Sequence, residues 1–214
     1  MRKLVKLVFR GFVILCVCGF VLSQKKEFAT EQNGWNLILV NQDYYIPEDY
    51  KVELESFDNG VAVDYRIYEA LQEMFNDAKD DDVYMFVAEG YRTQKEQQEL
   101  MDEKVEEYQE KFLVEFLAKW QAKRWVAIPG TSEHQLGLAV DINADISKSS
   151  SQEVYSWLAE NAHEYGFIQR YPADKTEITG ISYEPWHYRY VGEDVANEIY
   201  EEGICLEEYI QKLN

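Results

Sequence analysis

The spacing of apolar positions changes several times along the chain, and each change marks an element. Residues 24 to 34, QKKEFATEQNG, are polar and aperiodic and predict a tether. WNLILVNQDYYIP, starting at Trp35, opens with a short apolar run that reads as a strand and closes in a turn. From about 62 to 79, Ile67, Leu71, Met74, Phe75 and Ala78 recur at helical spacing and predict an amphipathic helix. VYMFVAEG then reads as a short buried strand closed by glycine. From Gln94 to about Lys123 there are few breakers and only a thin apolar stripe, which predicts one long charged helix.

In GLAVDIN, Leu138, Val140 and Ile142 alternate with Ala139 and Asp141, the period of a strand. Ser150 and Glu153 stand at capping-box spacing. They open a helix with Val154, Trp157, Leu158 and Tyr165 on one side, and Gly166 ends it. WHYRYV opposes Trp186, Tyr188 and Tyr190 to His187, Arg189 and Val191, so it predicts another strand. Helical turns from Glu193 to Tyr200 and from Leu206 to Leu213 follow. No repeat or second domain is visible. The pattern is α+β: a small, mostly antiparallel sheet with flanking helices.

The first 23 residues stand apart. MRKLVKLVFR carries four basic residues and no acid, and GFVILCVCGFVLS is apolar throughout. That is the layout of a signal peptide or an N-terminal membrane anchor. The apolar run is short for a span, but counted from Leu4, with Lys6 and Arg10 snorkelling, it reaches 20 residues. The anchor is the favoured reading, because the residues before Gln24 make no strong small-residue cleavage site. Either way residues 35–214 are expected to form one domain outside the cytoplasm.

Composition supports a packed core: 46% of the 214 residues are hydrophobic and 29% charged, which excludes a disordered chain. Beyond residue 23 the only cysteine is Cys205, so no disulfide can form within the exported part. A metal is the remaining candidate for a staple. The net charge is −19, and the N-terminal segment holds only basic residues, so the exported part is more acidic still. Such a surface disfavours nucleic acid and anionic lipid. The expected membrane contact is through the N-terminal segment alone.

The chain has only three histidines. His163 lies on a helix face and reads as a hydrogen-bonded structural residue. His134 and His187 differ, because each flanks or begins a strand with a carboxylate close by. Asp141, on the less apolar side of its strand, would cost on the order of several kcal/mol if buried without a partner, and a cation removes that cost. Gly137 lets His134 bend back towards it. Catalytic zinc wants three such ligands and one open position. Glu184 stands three residues before His187, with Pro185 breaking the strand between them, so it can sit on a turn as a base rather than a ligand.

SEHQLGLAVDI and EPWHYRYVG resemble the S-x-H-x(6)-D and E-x-W-H motifs of the zinc D,D-carboxypeptidases of the VanY type. LVNQDYYIP, EGYRTQKEQ and the stretch from Glu160 to Gly192 are similar to further blocks of that family, so the likeness runs in order over about residues 35 to 212. The resemblance implies that His134, Asp141 and His187 bind one zinc on the sheet and that Glu184 is the catalytic base. It implies that Arg92 engages the substrate's terminal carboxylate or the developing oxyanion, and that Gln97 and Ser132 contact substrate. A guanidinium suits that task, since its planar fork pairs with a carboxylate through two bonds. The implied activity removes the terminal D-Ala from D-Ala-D-Ala peptidoglycan stems. An L,D-carboxypeptidase acting on tetrapeptide stems, or a zinc-bound cell-wall binding module without activity, are the alternatives. The stretch near 110 to 126 departs from the family in being unusually apolar and aromatic.

Overall fold

A computed structural model describes residues 27–213. The expected anchor or signal segment, 1–23, lies outside the described residues. Among the described residues no helix is long and apolar enough to cross a membrane.

The domain is built on a four-stranded antiparallel sheet. Its strands are β5 (Met85–Glu89), β6 (Ala139–Ala144), β7 (Phe167–Gln169) and β8 (His187–Tyr190), in the order β5-β6-β8-β7. Two small pairs precede it. β1 (Glu27–Phe28) runs parallel to β2 (Tyr44–Tyr45), and β3 (Leu54–Ser56) is antiparallel to β4 (Ala62–Asp64). The helices are α1 (Tyr65–Asp80), α2 (Gln94–Gln109), α3 (Glu115–Ala122), α4 (Ser151–Asn161), the single turn α5 (Thr176–Thr179), α6 (Glu193–Glu202) and α7 (Leu206–Leu213). This is the α+β arrangement expected, with the sheet small and mostly antiparallel.

Pattern and packing agree where the period is strong. Leu138, Val140 and Ile142 are fully buried and share one core with Ile67, Leu71 and Met74 of α1 and with Val154 and Leu158 of α4. α1 starts at Asp64, whose side chain accepts from the Arg66 amide and satisfies one of the helix's free N–H groups. α4 starts in the expected capping box, with Ser150 and Glu153 bonded reciprocally. Gly166 takes a left-handed φ of 81° just past the following turn, and a Cβ there would meet the Gly192 backbone and the Tyr190 ring. A second cluster, with Ile168, Val191, Ile199 and Leu206, docks α6 and α7 behind the sheet.

Four expectations change. The run from Trp35 is a 3-10 turn, Trp35–Leu37, followed by irregular chain, although Ile38 and Val40 are fully buried. Apolar side chains fill the core there without a neighbouring strand to pair with. The expected long helix is two, α2 and α3. α3 turns back so that Ala122 packs with Met101 and Val126, whereas a continuous helix would carry its buried Ala118 and Ala122 into water. β5 is an edge strand in which only Val87 is buried and Phe86 is exposed. The stretch expected to be a tether is docked from Glu27 onward, with the Ala29 amide donating to Tyr45 O and Ala29 itself buried.

Candidate metal centre

The site lies where the middle of the sheet meets two loops. β6 and β8 are neighbours, and their register sets Asp141 directly opposite His187. On the other side of β6, Asp141 pairs with Glu89 at the end of β5, past a bulge between Val87 and Glu89. His134 comes from the single 3-10 turn before β6, Glu133–Leu136. Gly137 ends that turn at a φ of 73°, where a Cβ would press on the Asp64 backbone at 3.0 Å. Glycine is what allows the chain to reverse there and bring His134 back over the strand.

His134 Nε2 lies 3.4 Å from Asp141 Oδ1, and His187 Nδ1 lies 3.0 Å from the same oxygen. The ligand atoms of the three residues all fall within 4.8 Å of one another. Tetrahedral ligands held at roughly 2.1 Å from a zinc ion stand about 3.4 Å apart, so the spacing suits that ion. The hydrogen bonding suits it too. His134 Nδ1 donates to the Gly90 carbonyl at 2.7 Å, which leaves Nε2 free to face Asp141. The His187 ring is oriented with Nδ1 towards Asp141, and its buried Nε2 has no hydrogen-bond partner. These residues fit one zinc ion.

The charges of the metal-free cluster are strongly perturbed. Burial disfavours the Asp141 carboxylate, but the two histidines hold it well below the usual carboxylate range. Burial likewise opposes a charged His187, yet the hydrogen bond to Asp141 and the nearby Glu133 carboxylate carry the imidazole up to about 9. In effect a proton on His187 occupies the electrostatic role a cation would fill.

Glu184 is 3.9 Å from His187 through its carboxylate and sits on the turn made by Pro185 and Trp186. The His187 amide closes that turn on the Glu184 carbonyl, and the Glu184 amide is tied to Tyr171 O. Burial, reinforced by Asp141, pushes its carboxyl up to about 7, against the pull of His187 and Arg92. A carboxyl group poised near neutrality, beside the metal ligands and not among them, is suited to moving a proton.

Arg92 follows β5 by three residues and is buried. Its backbone N–H donates to His134 O at 3.1 Å, so its position is tied to a ligand. Its Nη1 donates to Gln97 Oε1 at 2.7 Å, and Gln97 in turn donates to Ala127 O. Nη2 lies 3.7 Å from the half-exposed Glu89 carboxylate. Arg92, Gln97, Ser132, His134, Asp141, Glu184 and His187 all line one cleft of about 330 Å³. Every site residue expected from the sequence is therefore brought together. His163 is elsewhere, stacked on Tyr200 and bonded to Asn197.

Sequence reasoning missed three residues behind the ligands. Glu133, Arg170 and Arg189 are at most 1% exposed. Glu133 Oε1 accepts from Arg170 Nε and from Arg189 Nη1, both at 2.8 Å. Arg170 reaches on to Glu207 of α7 with a two-bonded fork, and Arg189 donates to the carbonyls of Asn36 and Ile38. Burial opposes the Glu133 charge, but the two arginines hold its pKa far below the usual range. The available signal was Arg189 in HYRYV, a charge at a strand position flanked by buried residues.

A family model described as VanY, D-alanyl-D-alanine carboxypeptidase, matches residues 60–193. A D-alanyl-D-alanine carboxypeptidase of Enterococcus faecalis is 58% identical over 189 residues, covering 88% of this chain and 70% of its own. The solved structure of VanYB in complex with D-alanine-D-alanine superposes with a TM-score of 0.82 at 59% identity, over 83% of this chain and 98% of that one. A glutamate-to-alanine variant of the vancomycin resistance D,D-pentapeptidase VanY, from a VanB-type cassette and in complex with Zn(II), gives 0.80 at 60% identity over 82% and 99%.

Proposed function

This chain belongs to the VanY family of D-alanyl-D-alanine carboxypeptidases and is a zinc metallopeptidase of that kind, and from this premise we propose how its residues divide the work. The substrate is a peptidoglycan stem peptide ending in D-Ala-D-Ala, and the reaction removes the last D-Ala. The observation that carries this reading is the meeting of five groups in one cleft: His134, Asp141, His187, Glu184 and Arg92.

His134, Asp141 and His187 hold the zinc. When bound, zinc supplies Lewis acidity to the scissile carbonyl and to the attacking water. Glu184, with its carboxyl raised by burial, takes the proton from that water and delivers it to the departing amine of D-Ala. Arg92 holds the terminal carboxylate with its planar guanidinium, which Gln97 braces from behind. Ser132, buried at the cleft wall, contacts the substrate backbone. A binding module has no use for a proton-transfer group beside its metal, and an endopeptidase has no terminal carboxylate to hold, so Glu184 and Arg92 together favour an exopeptidase.

The basic and apolar N-terminal segment supports a domain held outside the membrane, attached through that segment alone. Intact-mass measurement of the exported protein tests this: a species beginning at Gln24 would show release instead. The activity is tested by incubating the purified protein with pentapeptide and tetrapeptide stems and weighing the products. Loss of one D-Ala from the pentapeptide, with the tetrapeptide intact, is expected. Trimming of the tetrapeptide alone would assign L,D specificity.

A further inference from the structure

We propose that Glu133 is a positioning residue for the metal centre: its Oε2 takes the Nε2–H of His187 and so fixes the tautomer whose Nδ1 lone pair faces Asp141 and His134. The inference rests on the reading of His187 as a zinc ligand and adds a residue that the reading does not contain.

Two buried polar atoms near the site lack hydrogen-bond partners, Glu133 Oε2 and His187 Nε2, and they stand 3.7 Å apart. A buried donor or acceptor left without a partner is destabilising, so two that face each other across less than 4 Å are read together. A neutral imidazole carries one proton, on one nitrogen only. If His187 carries it on Nδ1, that N–H points at the metal position and no lone pair reaches it. If it carries the proton on Nε2, the N–H meets a carboxylate oxygen and Nδ1 is free to bind. Glu133 selects the second arrangement.

The carboxylate is held where this choice requires. Oε1 is clamped by Arg170 and Arg189, which leaves Oε2 directed at the ring. Both arginines are fully buried and fastened in turn, one to Glu207 and the other to two backbone carbonyls. Metal-binding histidines commonly donate their second ring proton to a carboxylate or carbonyl, and losing that partner typically costs 10–100-fold in metal affinity. His134 donates to a carbonyl, that of Gly90. Glu133 gives His187 the carboxylate equivalent. The residue before one ligand thus orients the other, which places both under the control of one 3-10 turn.

The informative substitution is Glu133→Gln. Its amide oxygen can still accept from the two arginines, which directs the amide N–H₂ towards His187 Nε2. Two donors then oppose each other, and the ring is relieved only by moving its proton to Nδ1, where it blocks the metal. Zinc affinity, measured on the full-length protein by competition with a chelating dye, should fall on the order of 10- to 100-fold. Nitrogen-15 spectra of histidine-labelled, zinc-loaded wild type should show His187 protonated at Nε2, and the metal-free Gln variant, at a pH high enough to leave the ring neutral, should show more of the Nδ1-protonated form than metal-free wild type does. A residue serving only to pack the arginines would change neither tautomer.

Zinc binding by E133Q as tight as wild type, or an unprotonated Nε2 in the zinc-loaded wild type, overturns the proposal. If E133Q does not fold, the zinc-loaded wild type decides through its His187 Nε2 proton: slow exchange with water and a downfield shift mark its bond to Glu133, and a freely exchanging proton overturns the proposal. A wild type that binds no zinc would instead refute the ligand reading on which the proposal stands.

Discussion

Asp141 and His187 are directly paired residues on adjacent antiparallel strands, and that register brings His187 Nδ1 to 3.0 Å from Asp141 Oδ1. The ligand geometry is thus set by backbone hydrogen bonding, not by flexible side chains. Replacing Asp141 with Ala should abolish stoichiometric zinc while the sheet persists, because the ladder does not depend on the carboxylate. Elemental analysis together with circular dichroism checks both halves. Retention of one zinc by the Asp141→Ala protein would remove Asp141 from the ligand set.

Glu184→Gln keeps shape and hydrogen bonding but cannot accept the water's proton. Zinc content should stay at one per chain while turnover of pentapeptide stems falls by a factor on the order of 10² or more. Near-full activity in the Gln variant would mean that the proton goes elsewhere.

Arg92→Lys keeps the charge and loses the planar fork. Cleavage of stems with a free C-terminus should weaken, whereas amidation of the C-terminus should erase most of the wild-type advantage over the variant. The comparison asks what Arg92 touches. Equal cleavage of free and amidated stems by the wild type would show that no carboxylate clamp operates.

The stability of the metal-free chain and its affinity for zinc should respond to pH in opposite senses. Without metal, Glu184 has its carboxyl raised from 4.5 to about 7 and His187 its imidazole from 6.5 to about 9. Both bind protons more tightly when folded, so each contributes stability that is present below its unfolded value and lost as pH rises through its folded value. Thermal unfolding of the metal-free chain should therefore decline in midpoint from about pH 5 to 9. Asp141 and Glu133 are depressed and lose their contributions only in acid, outside this window. Zinc must displace the His187 proton, so its affinity should rise with pH between about 7 and 9, by up to roughly tenfold per unit. Affinity that is flat across that range would contradict a protonated His187 in the empty site.

Gly90 offers a test that leaves every charge in place. A Cβ there would lie 2.2 Å from Ala62 O, a backbone atom that cannot step aside cheaply. Its carbonyl also receives the His134 ring proton, and its neighbour Tyr91 donates to Ala62 O. Gly90→Ala should destabilise the fold by about 1–3 kcal/mol and weaken zinc binding with it. Unchanged denaturant and zinc titrations would show that the β4–β5 contact yields easily.

The parts of this molecule that could be read in advance are those with short-range signatures. Strand alternation around Asp141, the Ser150–Glu153 box and the spacing of His134, Asp141, Glu184 and His187 are all local, and the register between β6 and β8 then followed from burying Val140 and Tyr188 together. Long-range packing decided the rest. Nothing local distinguishes one charged helix from two across Glu110–Val114, since the turn exists to return Ala118 and Ala122 to the α2 surface. Arg170 and Arg189 are equally opaque: an arginine defaults to the surface, and only the convergence of Glu133 and Glu207 makes complete burial tolerable.

The chain from His187 through Glu133 and Arg170 to Glu207 has a temporal consequence. Its members come from a 3-10 turn, two segments of the sheet region and α7, so no contiguous piece of polypeptide contains the centre. While the chain is being made, ligands from residues 134 to 187 already exist before α7 does, but Arg170 then lacks half of its charge compensation. The centre is completed only when Leu206–Leu213 docks. The metal centre thus takes part of its rigidity from a helix that contributes no ligand to it.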